Sequence, residues 1–121
     1  MKKIVISFLC LVVSFNCFSE IRNRTYESGA LESEWSFKNG KLEGVSKSYY
    51  ESGALWFEDR FKNDKREGVG KNYYESGTLK YEDNFKNGKL DGISKGYSES
   101  GLLIKRENYK NGKLIGELTL D

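Results

Sequence analysis

At 121 residues with 20 basic and 18 acidic side chains, the chain has room for one domain, and its balanced charge argues against a nucleic-acid binder held by phosphate contacts. It contains no histidine and no proline, so a Ser–His–Asp triad and histidine metal ligation are excluded. Aromatic residues make up 14% of it, too many for simple disorder in spite of 31% charged residues.

The first element, residues 1–19, reads as a secretory signal peptide. Lys2 and Lys3 form a positive start, the stretch from Ile4 to Phe15 is apolar but for Ser7 and Ser14, and Cys17-Phe18-Ser19 places small residues at −3 and −1 of a cut before Glu20. The apolar run is short for a membrane span. Two alternatives stand beside this reading: a buried or anchored N-terminal helix, and a lipoprotein acylated at Cys17. The second is disfavoured because Ser14-Phe15-Asn16 lacks the leucine at −3 and the small residues usual before such a cysteine. Cleavage removes Cys10, Cys17 and two lysines, leaving 18 basic and 18 acidic residues, no disulfide and no thiol ligand. The expectation is a protein secreted or held in the periplasm, its working part being residues 20–121.

That part repeats. Glu-Ser-Gly recurs at 27–29, 51–53, 75–77 and 99–101, and Lys-Asn-Gly (once Lys-Asn-Asp) at 38–40, 62–64, 86–88 and 110–112, each series with a 24-residue period. Asn-Gly between extended runs signals a type I′ hairpin turn, and Ser-Gly reads as the same two-residue turn. Eight turns predict nine strands and no helix. The result is a single-layer antiparallel meander about 40 Å across. Strands of nine to eleven residues exceed the common length, so bulges are expected within them.

The turns also predict a register. Around 52–53, Tyr50 faces Leu55, Lys47 faces Glu58 and Gly44 faces Phe61; around 39–40, Phe37 faces Leu42 and Trp35 faces Gly44. Gly68 and Gly92 then face Phe85 and Tyr109, and across the other ladder they face Asp59 and Asp83. Lys47–Glu58 recurs as Lys71–Glu82, whereas the last copy sets Lys95 against Arg106. One face carries Leu31, Leu55, Leu79 and Leu103 with Phe37, Phe61, Phe85 and Tyr109 around a middle of glycine, serine and aspartate. The other is mostly charged, with a stripe of Tyr49, Trp56, Tyr73 and Tyr97.

Two surfaces are candidates for binding. Around the Lys-Asn-Gly turns lie Lys38, Lys41, Lys62, Lys65, Arg66, Lys86, Lys89, Lys110 and Lys113, a basic rim opposite an acidic one of Glu27, Glu51, Glu75 and Glu99. Such a rim suits an anionic partner and also keeps a bare sheet soluble. The stripe of Tyr49, Trp56, Tyr73 and Tyr97 suits docking, although cross-strand packing alone accounts for it.

No catalytic constellation emerges. Gly68 to Gly77, GVGKNYYESG, is a chance likeness to a phosphate loop, because no helix follows it. Asp59, Asp83 and Glu107 share a face at ~9.6 Å, near the upper limit for an inverting carboxylate pair, but the repeat alone explains their spacing. No cofactor and no metal are expected.

YYESGALWFEDRFKNDKREGVGKNYYESG resembles the bacterial variant of MORN repeats, Tyr-Tyr-x-x-Gly-x-Leu followed by aromatic-Lys-Asn-Gly-Lys-Leu-x-Gly, over about residues 26–116. Asp64, Arg66 and Ser98 depart from that pattern. The resemblance implies an elongated β-sheet used for protein or membrane contacts, and many bacterial relatives carry an antitoxin label. The reading is therefore an exported, non-enzymatic binding module, with an antidote to a cognate toxin as the alternative and a carbohydrate-active enzyme using Asp59 and Asp83 as the third. A protein partner leads, ahead of an anionic lipid headgroup or glycan. Nucleic acid is disfavoured, and open edge strands allow edge-to-edge self-association.

Overall fold

The computed structural model describes residues 4–7 and 18–120. At each Lys-Asn-Gly turn the chain reverses through two residues of positive φ, 51° and 77° at Asn39 and Gly40, as a type I′ turn requires. The Glu-Ser-Gly turns differ from expectation. Gly53 N–H donates to Tyr50 O at 2.9 Å and Tyr50 N–H to Ala54 O at 2.8 Å, so the loop holds three residues and only Gly53, at φ 93°, is left-handed. Serine, unlike asparagine, does not favour the first left-handed position of a type I′ turn, so the chain takes a type I turn closed by glycine.

The strands run β1 Ile4–Ser7, β2 Ser19–Thr25, β3 Leu31–Lys38, β4 Lys41–Leu42, β5 Gly44–Tyr49, β6 Leu55–Lys62, β7 Lys65–Arg66, β8 Gly68–Tyr73, β9 Leu79–Lys86, β10 Lys89–Leu90, β11 Gly92–Tyr97, β12 Leu103–Lys110 and β13 Lys113–Thr119. All 13 belong to one antiparallel sheet in sequence order. The two-residue β4, β7 and β10 are the starts of β5, β8 and β11, interrupted at Glu43, Glu67 and Asp91, so residues 19–119 make the nine strands that eight turns predict. β1 is additional. It pairs with β2, Ile4 facing Arg24 and Ser7 facing Ile21. Of the expected signal peptide, residues 1–3 and 8–17, with both cysteines, lie outside the described residues, and Ser19 opens β2.

Register follows the turns as far as two kinds of bulge allow. Lys47 faces Glu58 and Gly44 faces Phe61, and the same pairing recurs as Gly68–Phe85, Lys71–Glu82, Gly92–Tyr109 and Lys95–Arg106. Near each Glu-Ser-Gly turn the ladder slips by one, so that Tyr49 rather than Tyr50 faces Leu55 and Trp56 is the extra residue. Beside the first three Lys-Asn-Gly turns it slips by two, and beside the fourth by one, where Tyr109 faces Leu114 but Asn108 faces Gly116. Phe37 faces Leu42, but Glu34 faces Lys47, and Gly44 takes φ 93° within the bulge. Trp35 is therefore not the neighbour of Gly44, where a Cβ would meet Ser36 Oγ at 3.4 Å instead. The same slip seats Asp59 beside Gly70 rather than Gly68.

Among the described residues no second layer covers the sheet and no large hydrophobic side chain is fully buried. What is buried is the small or polar floor of one face, with Ser46 fully covered and Ser33, Ser48, Ser94 and Asp59 nearly so. This face forms a shallow trough. Trp35 lies over it, 6.5 Å from Phe57 and 6.0 Å from Phe61 between ring centres, so aromatic rings roof a serine floor. Cohesion comes from contacts between successive units, as in other repeat arrays.

Candidate functional site

The basic rim is built by paired turns. Lys38 faces Lys41, Lys62 faces Lys65, Lys86 faces Lys89 and Lys110 faces Lys113, and all are exposed. Each turn also hangs on the unit before it. Asp64 N–H donates to Leu42 O, Gly88 N–H to Arg66 O and Gly112 N–H to Leu90 O, at 3.0, 2.9 and 2.7 Å. Three carboxylates nearby are occupied by the same stacking: Glu43 accepts from Asn63 N–H at 3.0 Å, Glu67 from Asn87 at 2.8 Å and Asp91 from Asn111 at 3.2 Å. The Asn111 amide, with Lys110 and Lys86 nearby, holds the Asp91 carboxyl below its usual range. Lys110 pairs with Asp91 at 3.6 Å and Arg66 with Asp59 at 3.0 Å. The other seven rim cations make no ion pair with a described residue.

The tyrosine–tryptophan stripe does not form as predicted. Tyr49, Tyr73 and Tyr97 do occupy equivalent strand ends, half-buried. Tyr49 donates to Glu34 at 3.3 Å, and burial together with that carboxylate pushes its phenol up. Trp56 leaves the stripe because it is the bulge residue; its ring lies 5.8 Å from Tyr50 and 5.3 Å from Phe57, beside the trough. A second tyrosine series, missed in the sequence, binds unit to unit. The hydroxyls of Tyr26, Tyr50 and Tyr74 donate to the carbonyls of Tyr49, Tyr73 and Tyr97 at 2.7, 2.7 and 2.8 Å. Where the fourth copy has Ser98, the hydroxyl accepts from Leu102 N–H in its own turn at 3.1 Å.

Arg66 leaves the rim as well. It stands where the other copies carry Leu42, Leu90 and Leu114, and its guanidinium reaches into the trough, 5.1 Å above the Phe85 ring and paired with Asp59. Asp59 is 7% exposed and lies over Gly70, where any Cβ would collide with its carboxylate. Gly70 in turn faces Asp83. Trp56, Asp59, Arg66, Gly70, Asn72 and Asp83 thus border one open cleft of about 240 Å³. Burial pushes both aspartates up; Arg66 offsets part of the effect at Asp59, and the Ser94 hydroxyl part of it at Asp83. Glu107, third in the acidic row, is engaged with Lys105 at 2.7 Å and Tyr109 at 3.1 Å. Among the described residues no group of three side chains is placed to hold a metal ion. The signal that marks the cleft in the sequence is departure from the repeat: arginine for leucine at 66 and glycine for serine at 70.

No curated protein matches the chain. Residues 42–63, 66–87 and 90–111 each match the MORN repeat variant, and each match opens at the same point of its hairpin, 24 residues after the last. The matches cover more than half of the chain, and the open antiparallel meander agrees with them. The chain belongs to the MORN repeat variant family, a repeat-based binding fold.

Proposed function

We propose that this protein is an exported, non-enzymatic module that holds an acidic partner protein against its lysine rim. The observation that carries the reading is a row of exposed cations without ion pairs in a chain whose net charge is only +2. Seven rim cations make no ion pair with a described residue, and the paired turns set them in a row along one exposed edge. Exposed cations in a row steer an anionic surface toward the rim and set its orientation more than they add affinity. Against catalysis, histidine is absent and Asp59 is held by Arg66 rather than left poised. The positive start, apolar stretch and small residues before Glu20 support export.

Fractionation with intact-mass analysis tests the location. A species starting at Glu20 outside the cytoplasm supports the reading, whereas an uncleaved chain inside the cell favours an antidote that neutralises a cognate toxin. Cross-linking in the producing cells tests the rim. The partner is expected to be acidic, to be released by raised salt, and to be lost from a Lys62→Glu/Lys86→Glu variant. A partner retained by that variant would place the contact elsewhere, and retention by anionic vesicles alone would make the anion a lipid headgroup.

A further inference from the structure

We propose that the cleft over Gly70 binds one sugar ring of a glycan. Its walls present the two things a pyranose offers to bind, in the places where they are needed. Trp56 is 42% exposed with its indole along the wall, a flat apolar surface for the C–H face of a ring. Around it stand planar polar groups of both kinds, the Arg66 guanidinium and Asn72 amide as donors and the Asp83 carboxylate as acceptor. Arg66 meets Asp59 through Nε, and its guanidinium lines the cleft over the Phe85 ring. Sugar hydroxyls both donate and accept, so a mixed set of this sort suits them better than it suits an ion.

Charge and shape narrow the choice further. Asp59 and Asp83 stand against Arg66 and Lys71 in the lining, so the cleft lacks the strong single sign that would select a cation or a phosphate. Its volume of about 240 Å³ is below that of a drug-sized pocket and is matched to one ring with its substituents. No row of unpaired backbone groups lies beside it, because β6, β8 and β9 are paired with one another, so an extended peptide finds no ladder to join. The opening is also local to one copy. Ser46 and Ser94 fill the positions equivalent to Gly70, and Leu42 and Leu90 those equivalent to Arg66.

The test is a titration of the full-length mature protein, followed by amide and indole NMR, with methyl glycosides of glucose, galactose and N-acetylglucosamine. Acetyl-arginine amide and inorganic phosphate serve as ionic probes. At least one neutral glycoside is expected to give saturable shifts at the Trp56 indole and the Gly70 amide at millimolar concentration. Arg66→Leu, which restores the residue the flanking copies carry, is expected to keep the fold and weaken binding at least about tenfold; Gly70→Ser, whose Cβ displaces the Asp59 carboxylate and fills the cleft floor, is expected to abolish it. Asp83→Asn is expected to act as Arg66→Leu does, and Lys62→Glu on the rim to leave the sugar untouched. The last variant separates this site from the protein contact proposed for the rim. Failure of every neutral glycoside to saturate overturns the proposal, as does equal binding by a folded Arg66→Leu variant. Saturation by acetyl-arginine amide alone would make the cleft a seat for a partner's side chain.

Discussion

Asp64 occupies a turn position held by glycine in the other three copies, and its backbone keeps the left-handed conformation at φ 66°. The carboxylate explains the tolerance: Oδ1 accepts from Leu42 N–H at 2.8 Å while Asp64 N–H donates to Leu42 O. Asp64→Ala keeps the strained φ without the side-chain bond and is expected to cost about 1–3 kcal/mol. Asp64→Gly relaxes the backbone and should cost less. Urea midpoints of the two variants decide it, and equal costs would remove the role given to φ. Protonation belongs to the same scale. Asp59 and Asp83 are raised above the ordinary 3.8 by burial, so the folded chain retains protons that the unfolded chain gives up. Stability from this source falls as pH rises from 3.8 through the raised folded values and is level above them. Glu20, hydrogen-bonded by Arg22, and Asp91 are lowered and act in the opposite sense, below the ordinary carboxylate range. A melting series across pH should show a smaller fall for Asp83→Asn than for the natural chain. An identical fall would show that Asp83 is not among the carboxyls responsible.

Elements this exposed are also tied by links that run from one unit to another. Three units send a tyrosine hydroxyl to a carbonyl of the next, Tyr50 to Tyr73 O at 2.7 Å among them, and turn amides reach back to the unit before. Tyr50→Phe removes one such link and nothing else polar, for an expected loss of about 0.5–1.5 kcal/mol. Tyr73→Phe, whose carbonyl rather than hydroxyl is used, is the control. Thermal melts that rank the two the other way would contradict the ladder. The bulges act at this scale too. The two-residue slip at Gly44 and Gly68 keeps acids and rings of one strand over small residues of the next, Asp59 over Gly70 among them. Without it Asp59 would lie over Gly68, nearer the rim, and no cleft would form at Gly70.

The described residues form a one-dimensional stack with β1 and β13 as its edges, and none of them makes a layer above or below it. Removing residues 50–73 joins Tyr49 to Tyr74 and leaves every remaining strand beside a neighbour of the kind it now has. The shortened chain is expected to fold, with a urea m-value smaller by roughly a fifth, in proportion to the surface lost. It also lacks Trp56, Asp59, Arg66 and Gly70, so it serves as a folded control for the cleft. Failure to fold would show that distant units matter and that nearest-neighbour stacking is not sufficient.

By itself the sequence determined the class, the nine strands of residues 19–119 and most of the cross-strand pairs, because turn chemistry and a 24-residue period are local facts written into each copy. Lys47–Glu58 and Gly68–Phe85 follow from counting outward from a turn. Counting fails once a bulge inserts residues, and it was the tertiary structure that moved Trp56 out of the tyrosine stripe and Arg66 out of the rim. Bulges depend on how a strand meets both neighbours at once, and one copy read against its own turn does not contain that information. The cleft is the product of such a meeting: Arg66 from one strand, Asp59 from another and Gly70 beneath them, each unremarkable alone and joined only when the units stack.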